Sequence, residues 1–168
     1  MAYELFNKQA EFGQQGEQLL KDRLEQRGNW CVDLSTDKRF NLKQDVDYVM
    51  WNTKDEFYNI EVKWDRMMNK TGNMFLELWD DYDNDSKGWF ATSIADLLFY
   101  GNATTETFYC FRITDIKEYI KTHSTRTISH TDYYGEYKQY RKIRMGSLVN
   151  VNELIDWCKE NKKLAFIL

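Results

Sequence analysis

Hydrophobic positions along this chain repeat with two different periods, and the change of period predicts the order of its elements. From Lys8 to Arg27 they recur at helical spacing, which predicts a helix stopped by Gly28. Alternating, strand-like runs follow. These runs read NWCVDLS, DVDYVMW, FYNIEVKW and, after the turn at Gly72-Asn73, NMFLELW. The first half therefore predicts one long helix followed by a group of strands.

The second half mixes both periods. TFYCFRI reads as a strand, and TDIKEYIKTH and NELIDWCKEN read as helices, the first capped by Thr114. A short helix begun by Ser93 is also expected, because Asp96 three residues later fits a capping box. This order predicts an α/β fold with a central mixed sheet flanked by helices. Without proline or a Gly/Ser-rich linker, residues 1–168 are expected to form a single domain.

One acidic residue interrupts the apolar stripe of the first helix. The stripe reads Phe6, Ala10, Gly13, Glu17, Leu20 and Leu24. A leucine would be expected where Glu17 stands. We therefore expect the Glu17 side chain to point inward, toward other polar groups.

Composition and charge narrow the function classes. A net charge of −4 lowers the expectation of tight non-specific DNA binding, since phosphate contacts supply most of that affinity. The separated cysteines Cys31, Cys110 and Cys158 lie in apolar runs and predict reduced core residues without zinc spacing. No apolar run is long enough to span a bilayer, and no signal peptide is evident. A soluble, cytoplasmic protein without membrane partners is expected.

Strand parity brings the candidate chemistry together. Glu61 and Lys63 share one strand face, while Ile60 and Val62 form an apolar row on the other. If DVDYVMW and FYNIEVKW pair through the turn NTKDE, Asp47 lies near Glu61. Two carboxylates and an amine then converge on one spot of the sheet.

Such a group has a chemical use. Adjacent buried carboxylates repel each other, and a hard divalent cation such as Mg²⁺ or Mn²⁺ relieves the conflict. Lys63 would orient or deprotonate a metal-bound water and neutralise developing charge, which suits phosphodiester hydrolysis. Asp45 shares the face of Asp47 and is the alternative ligand, although a rim charge is preferred for it. Glu77 is either an extra ligand or, by preference, a solvent-facing residue.

The string D-Y-V-M … N-I-E-V-K, with an acidic residue on the preceding helix, resembles the PD-(D/E)XK nuclease superfamily over roughly Glu11 to Phe99. The resemblance implies a restriction endonuclease-like αβββαβ core and a phage or resolvase-type nuclease in a bacterial or phage-infected cell. It assigns catalysis to Glu17, Asp47, Glu61 and Lys63. It assigns Mg²⁺ or Mn²⁺ to Asp47, Glu61, Glu17 and the Val62 backbone carbonyl. Val46 stands where the family name has proline.

Two groups of residues are candidates for holding DNA. The first group follows the strand FYNIEVKW in sequence and comprises Arg66, Lys70, Asn73 and Lys87. The second lies in YYGEYKQYRKIR and comprises Lys138, Arg141, Lys142 and Arg144, interleaved with tyrosines. Interleaved tyrosines are equally typical of an edge strand or a loop packed on the core.

Three functions compete. The preferred one is a metal-dependent endonuclease that hydrolyses DNA, including branched or recombination intermediates. The second is a non-catalytic module on the same fold that binds nucleic acid or protein, with Glu61 and Lys63 as a solvated ion pair worth about 0–1 kcal/mol. The third is a structural or inhibitory phage protein. A homodimer is compatible with all three.

Overall fold

The computed structural model describes residues 2–34, 37, 45–134 and 140–168, and within these it contains five helices and ten strands. The helices are α1 (Ala2–Gln26), α2 (Met68–Thr71), α3 (Trp89–Thr92), α4 (Ile113–Thr122) and α5 (Val151–Glu160). The strands are β1 (Trp30–Asp33), β2 (Tyr48–Trp51), β3 (Phe57–Asp65), β4 (Asn73–Asp81), β5 (Ser86–Lys87), β6 (Leu97–Asn102), β7 (Thr107–Arg112), β8 (Arg126–Tyr134), β9 (Tyr140–Asn150) and β10 (Ala165–Ile167).

The central sheet has six strands in the order β1-β2-β3-β6-β7-β10. Strands β1, β2 and β3 form an antiparallel meander, and β6 pairs with β3 in parallel, so the sheet is mixed. The expected α/β fold with a mixed central sheet is confirmed. The turn NTKDE joins β2 to β3 as expected, with Tyr48 opposite Ile60.

Helix α1 packs on one face of this sheet. Leu20 and Leu24 join a buried cluster with Ile60 and Val62, as the alternation of the third strand predicted. Trp64 continues that row and lies against Gly16, where an added Cβ would come within 2.6 Å of the tryptophan Cβ. A glycine at position 16 therefore lets α1 approach the sheet closely.

The opposite face of the central sheet is covered by a second layer. It contains a four-stranded sheet, in the order β5-β4-β9-β8, together with α4 and α5. Leu98 and Phe111 of the central sheet share a cluster with Leu76 of β4 and Ile116 of α4. All three cysteines are free and buried, as expected.

Several local expectations are wrong. Ser93 follows α3 instead of beginning a helix, and the Asp96 carboxylate accepts a hydrogen bond from the Asn59 backbone N–H at 2.8 Å. Helix α4 begins at Ile113, with Arg112 and not Thr114 at its N-cap. Helix α1 begins at Ala2, well before the expected start. The strand-like run DVDYVMW forms strand only from Tyr48 onward.

Candidate active site

Asp47 lies immediately before β2 and is held against β3. Its backbone N–H donates to the Ile60 carbonyl at 2.8 Å, and its Oδ2 accepts the Val62 N–H at 2.8 Å. The side chain thus takes the place of a backbone partner where β2 has not yet begun. Asp47 is 6% exposed. Its carboxylate is therefore buried beside the strand that carries Glu61 and Lys63.

Glu61 and Lys63 stand next to each other on β3 and form an ion pair. Glu61 is 2% exposed, so it does not belong to a solvated strand face. Lys63 also lies over the ring of Trp89, with Nζ 4.6 Å from the ring centroid. The second oxygen of Glu61, Oε2, is buried and accepts no hydrogen bond within the part of the chain that the structure describes. Such an oxygen is costly unless something pairs with it.

Burial and mutual repulsion perturb the acids. Burial raises the pKa of Glu61 to about 8, Lys63 lowers it and Asp47 raises it further. Burial also raises the pKa of Asp47, while Lys63 and the Val62 N–H act in the opposite direction. For Lys63, burial lowers the pKa, but Glu61 and Asp47 outweigh it and hold the value above the ordinary one. Lys63 is therefore positively charged, and both Glu61 and Asp47 interact with that charge.

Glu17 reaches the same group from α1. Burial raises its pKa to about 7, Asp47 raises it further and Lys63 lowers it, so its carboxylate senses both residues. The side chain is only partly exposed. Asp47, Glu61 and Lys63 are thus brought together at β3, and Glu17 interacts electrostatically with Asp47 and Lys63 from α1.

Helix α3 supports the rim of this cluster. The hydroxyl of Thr92 donates to Asp45 Oδ2 at 2.7 Å, and the hydroxyl of Ser93 donates to the Asp45 carbonyl at 3.1 Å. Asp45 has a left-handed backbone, with φ of 49°. Its charge raises the pKa of both Asp47 and Glu61. Asp45 therefore lies at the edge of the cluster, tied to the helix that also presents Trp89.

Two further acids lie within electrostatic reach. Glu77 is half-buried, not solvent-facing as preferred from the sequence, and burial raises its pKa while Arg144 and Lys63 lower it. Asp33, at the end of β1, pairs with Tyr48 and raises the pKa of Glu17 and of Asp47. The sequence did not single out Asp33 as a site residue. The available signal was that Asp33 ends β1 while Asp47 immediately precedes β2, so that both acids lie at the same end of an antiparallel pair.

No family model matches this chain. Searches of curated proteins and of solved structures also find no match. Inference about function therefore rests on the site itself. Among the described helices, none has the length and apolar character needed to cross a bilayer.

The residues at this site offer the oxygen ligands that a hard divalent cation needs, but only a small number of them. The unsatisfied Glu61 Oε2 beside the Asp47 carboxylate offers the oxygen ligands that Mg²⁺ and Mn²⁺ accept. Over the described ranges, no set of three or more His, Cys, Asp or Glu side chains is arranged as a metal site. Mg²⁺ commonly takes only one or two carboxylates and completes its shell with water and phosphate oxygens. The donor set fits that pattern.

Three members of the first group of DNA candidates lie near the start of β4, and Lys87 lies on β5, opposite Trp79 near the end of β4. Arg66 and Lys70 are exposed, with the Arg66 guanidinium 3.7 Å from the centroid of the Phe12 ring. Asn73 accepts a hydrogen bond from Asn150 at 3.5 Å. Lys87 pairs with Asp85 at 2.5 Å, so its charge is partly neutralised.

The second group lies on the four-stranded sheet, where β8 is an edge strand paired with β9. Its basic residues pair with acids. The pairs are Arg141 with Asp83 at 2.8 Å, Lys142 with Asp80 at 2.5 Å and Arg144 with Asp132 at 3.0 Å. Lys138 lies outside the described residues. Asp83 lies in the loop between β4 and β5, residues 82–85, which we call the acidic loop, while Asp80 is on β4 and Asp132 on β8. Together these acids neutralise much of the charge that the sequence offered to DNA.

Proposed function

We propose that the protein is a Mg²⁺- or Mn²⁺-dependent nuclease of the PD-(D/E)XK type that hydrolyses phosphodiester bonds of DNA in the cytoplasm. One observation carries the proposal. Glu61 is buried with an unsatisfied oxygen, beside a second buried carboxylate and a charged lysine. A purely structural role explains this poorly, because buried carboxylates without full partners destabilise a fold.

Asp47, Glu61 and the Val62 carbonyl are the groups that would hold the cation, with Glu17 in support. A bound cation would polarise a phosphate and lower the pKa of a coordinated water. Among the residues of the chain, Asp47 is already oriented, because the Val62 N–H fixes one of its oxygens. Glu61 keeps one oxygen free of hydrogen bonds to the described residues.

Lys63 acts as a positive charge in this proposal. The pKa of Lys63 is held above its ordinary value by Glu61 and Asp47, so the amine is protonated near neutral pH. It can donate hydrogen bonds to a water or to a phosphate oxygen and stabilise the charge that develops there. Trp89 keeps the ammonium in place from the other side. A role as general base would require that proton to leave first.

The element order supports the same family. Helix α1, the meander β1-β2-β3 and the parallel strand β6 follow the order of an αβββαβ core. Between β3 and β6 the chain inserts α2, β4, β5 and α3, which carries Trp89. The insertion supplies one wall of the site.

Cleavage assays test the proposal. Parent protein and Asp47→Asn are incubated with linear, nicked and four-way-junction DNA, with Mg²⁺, with Mn²⁺ and with chelator. We expect metal-dependent cleavage by the parent and its loss in Asp47→Asn, with both proteins folded by circular dichroism. Cleavage that persists in Asp47→Asn would contradict the proposal.

A non-catalytic binding module is the second candidate. It is favoured by the ion pairs that occupy Arg141, Lys142 and Arg144, because they leave less free charge for DNA backbones. This function predicts that neither metal raises the melting temperature. It also predicts no cleavage of any DNA in the panel.

A further inference from the structure

Three exposed aromatic side chains form a row across the first three strands of the central sheet. Trp30, Trp51 and Phe57 lie directly opposite one another on β1, β2 and β3. They are 65%, 37% and 59% exposed. The two indoles stack with ring centroids 6.3 Å apart, and Trp51 and Phe57 are 4.4 Å apart. We call these three residues the aromatic row.

The aromatic row lies on the sheet face that carries the acidic cluster. Cys31, Met50 and Ile60 point into the core under α1, so the alternate positions on the same strands point the other way. Phe57 and Glu61 share that other face of β3 and are four residues apart. At strand rise this spacing is about 13 Å. The row and the cluster thus lie on the same face of the sheet.

Charges near the row do not favour binding led by phosphate contacts. The turn beside it carries one basic residue, Lys54, and two acidic ones, Asp55 and Glu56, all three exposed. Acidic side chains repel a phosphate backbone, whereas aromatic faces bind any base by stacking. A partner that fits this surface must present flat apolar groups to the three aromatic rings. Its negative charge must lie near the cation that we propose at Asp47 and Glu61.

We propose that the aromatic row is a stacking platform for unpaired bases of the nucleic-acid substrate. This inference rests on the proposed function, which places the scissile phosphate at Glu61. A separation of about 13 Å corresponds to about four nucleotides for a strand that keeps its 3.4 Å duplex spacing, and to fewer for an extended one. The substrate class is therefore DNA with a single-stranded segment beside the cleaved bond. Blunt duplex lacks the free bases that the row would bind.

Binding is measured first without catalysis. Fluorescence anisotropy follows a labelled oligothymidylate of about eight nucleotides, and a blunt hairpin duplex of the same label, in chelator. Parent protein is compared with Trp30→Ala, Trp51→Ala and Trp51→Tyr. Tyr82→Ala is the matched control, because Tyr82 is equally exposed but lies in the acidic loop. Sedimentation and circular dichroism accompany every variant.

We expect the parent to prefer the single strand, and each alanine variant to bind it roughly 5- to 150-fold more weakly. Trp51→Tyr should retain binding, and Tyr82→Ala should match the parent. The alanine variants should bind more weakly at every salt concentration, because the stacking contribution is lost whatever the counterion release. Unchanged binding in both folded alanine variants would overturn the inference. A dimer that becomes a monomer on loss of Trp30 would also overturn it, because a second copy would then occupy the surface.

The two proposals fail separately. If single strands bind through the row but no DNA is cleaved with either metal, the proposed function fails and the platform stands. If DNA is cleaved but the parent and both alanine variants prefer the same substrates, the platform fails and the nuclease stands. If both hold, cleavage should favour DNA with a single-stranded segment over blunt duplex. Trp51→Ala should reduce that preference.

Discussion

Two parts of the molecule combine carboxylates with basic side chains, and they do so in opposite ways. On β9, each basic residue has an acidic partner at the surface, as Arg141 does in Asp83. In the cluster at β3, Glu61 pairs with Lys63, Asp47 lies beside them and both acids are buried, while Glu17 interacts electrostatically with Lys63 from α1. The surface pairs are balanced and solvated. The cluster has an excess of negative charge, which a cation or a proton must relieve.

The difference indicates where function lies. Balanced, exposed pairs contribute about 0–1 kcal/mol each and can be replaced at little cost. An acid-rich, buried group reduces stability, so its presence calls for a ligand that relieves the repulsion. The same comparison explains why an acidic protein can be proposed as a nuclease. Its excess negative charge lies partly at the proposed metal site.

The largest expected effect is on catalysis. Lys63→Ala should lower the rate of metal-dependent DNA cleavage by about 10²–10³-fold, because it removes a positioned charge worth about 2.7–4 kcal/mol from the transition state. Folding should be retained, since the Lys63 side chain is separate from the apolar row of Ile60 and Val62. Single-turnover kinetics measure the rate. Lys159→Ala, which removes an exposed pair with Asp156 on α5, is the control and should cleave like the parent.

The next effect concerns the approach of α1. Gly16→Ala places a Cβ within 2.6 Å of the Trp64 Cβ, so the helix must shift and carry Glu17 away from the cluster. We expect a loss of about 1–3 kcal/mol in the free energy of unfolding, measured by urea denaturation. Gly13→Ala is the matched control, because its Cβ meets only Glu17 Oε1, at 3.9 Å. Equal stability of the two variants would show that α1 is not held by this contact.

A smaller effect concerns pH. Burial raises the pKa of Glu61 to about 8 and that of Glu17 to about 7, from an ordinary 4.5. The folded state therefore holds these protons more tightly than the unfolded state. The stabilisation is fully present below the ordinary value and is lost as pH rises through 7 to 8. In metal-free buffer the melting temperature of the parent should therefore fall as the pH is raised. The melting temperature of Glu17→Gln should fall less.

The matched control for the pH experiment lies on the surface. Asp83→Asn removes an exposed carboxylate that pairs with Arg141 and should leave the pH dependence as in the parent. A Glu17→Gln profile that coincides with the parent profile would mean that Glu17 titrates as an ordinary helix residue. Glu17 would then not belong to the acidic cluster.

The smallest effect is expected for the exposed ion pairs of β9. Asp83→Asn breaks the pair with Arg141, whose side chains are 41% and 58% exposed. Solvent screens such a pair, so the free energy of unfolding should change by no more than about 0–1 kcal/mol. Chemical denaturation measures it. A larger loss would show that the acidic loop is a structural part of the four-stranded sheet.

Some of this arrangement follows from local sequence patterns. Alternation along β3 predicts which side chains face α1, because one face is apolar and the other polar. Glu17 is detectable because it interrupts a helical stripe. Strand β6 is not, because all six of its residues are buried and no alternation marks it. The sequence predicts only a short helix begun by Ser93 before this run.

Other parts of the site depend on contacts distant in sequence. Trp89 reaches Lys63 only because α3 packs against β4 and anchors Asp45. Glu77 senses Lys63 because the four-stranded sheet covers the central one. The pairing of Lys142 on β9 with Asp80 on β4 also depends on the register of those two strands. Neither periodicity nor spacing carries this information.

The most direct test of the account is a Mn²⁺ titration followed by electron paramagnetic resonance, which measures free metal in the presence of protein. At a pH above 8, where Glu61 and Glu17 are deprotonated, the parent should bind Mn²⁺. Asp47→Asn and Glu61→Gln should each lose that binding, while Asp83→Asn should bind like the parent. Parent protein that leaves the Mn²⁺ signal unchanged, or Glu61→Gln that binds as well as the parent, would contradict the claim that the acid-rich cluster is a metal site.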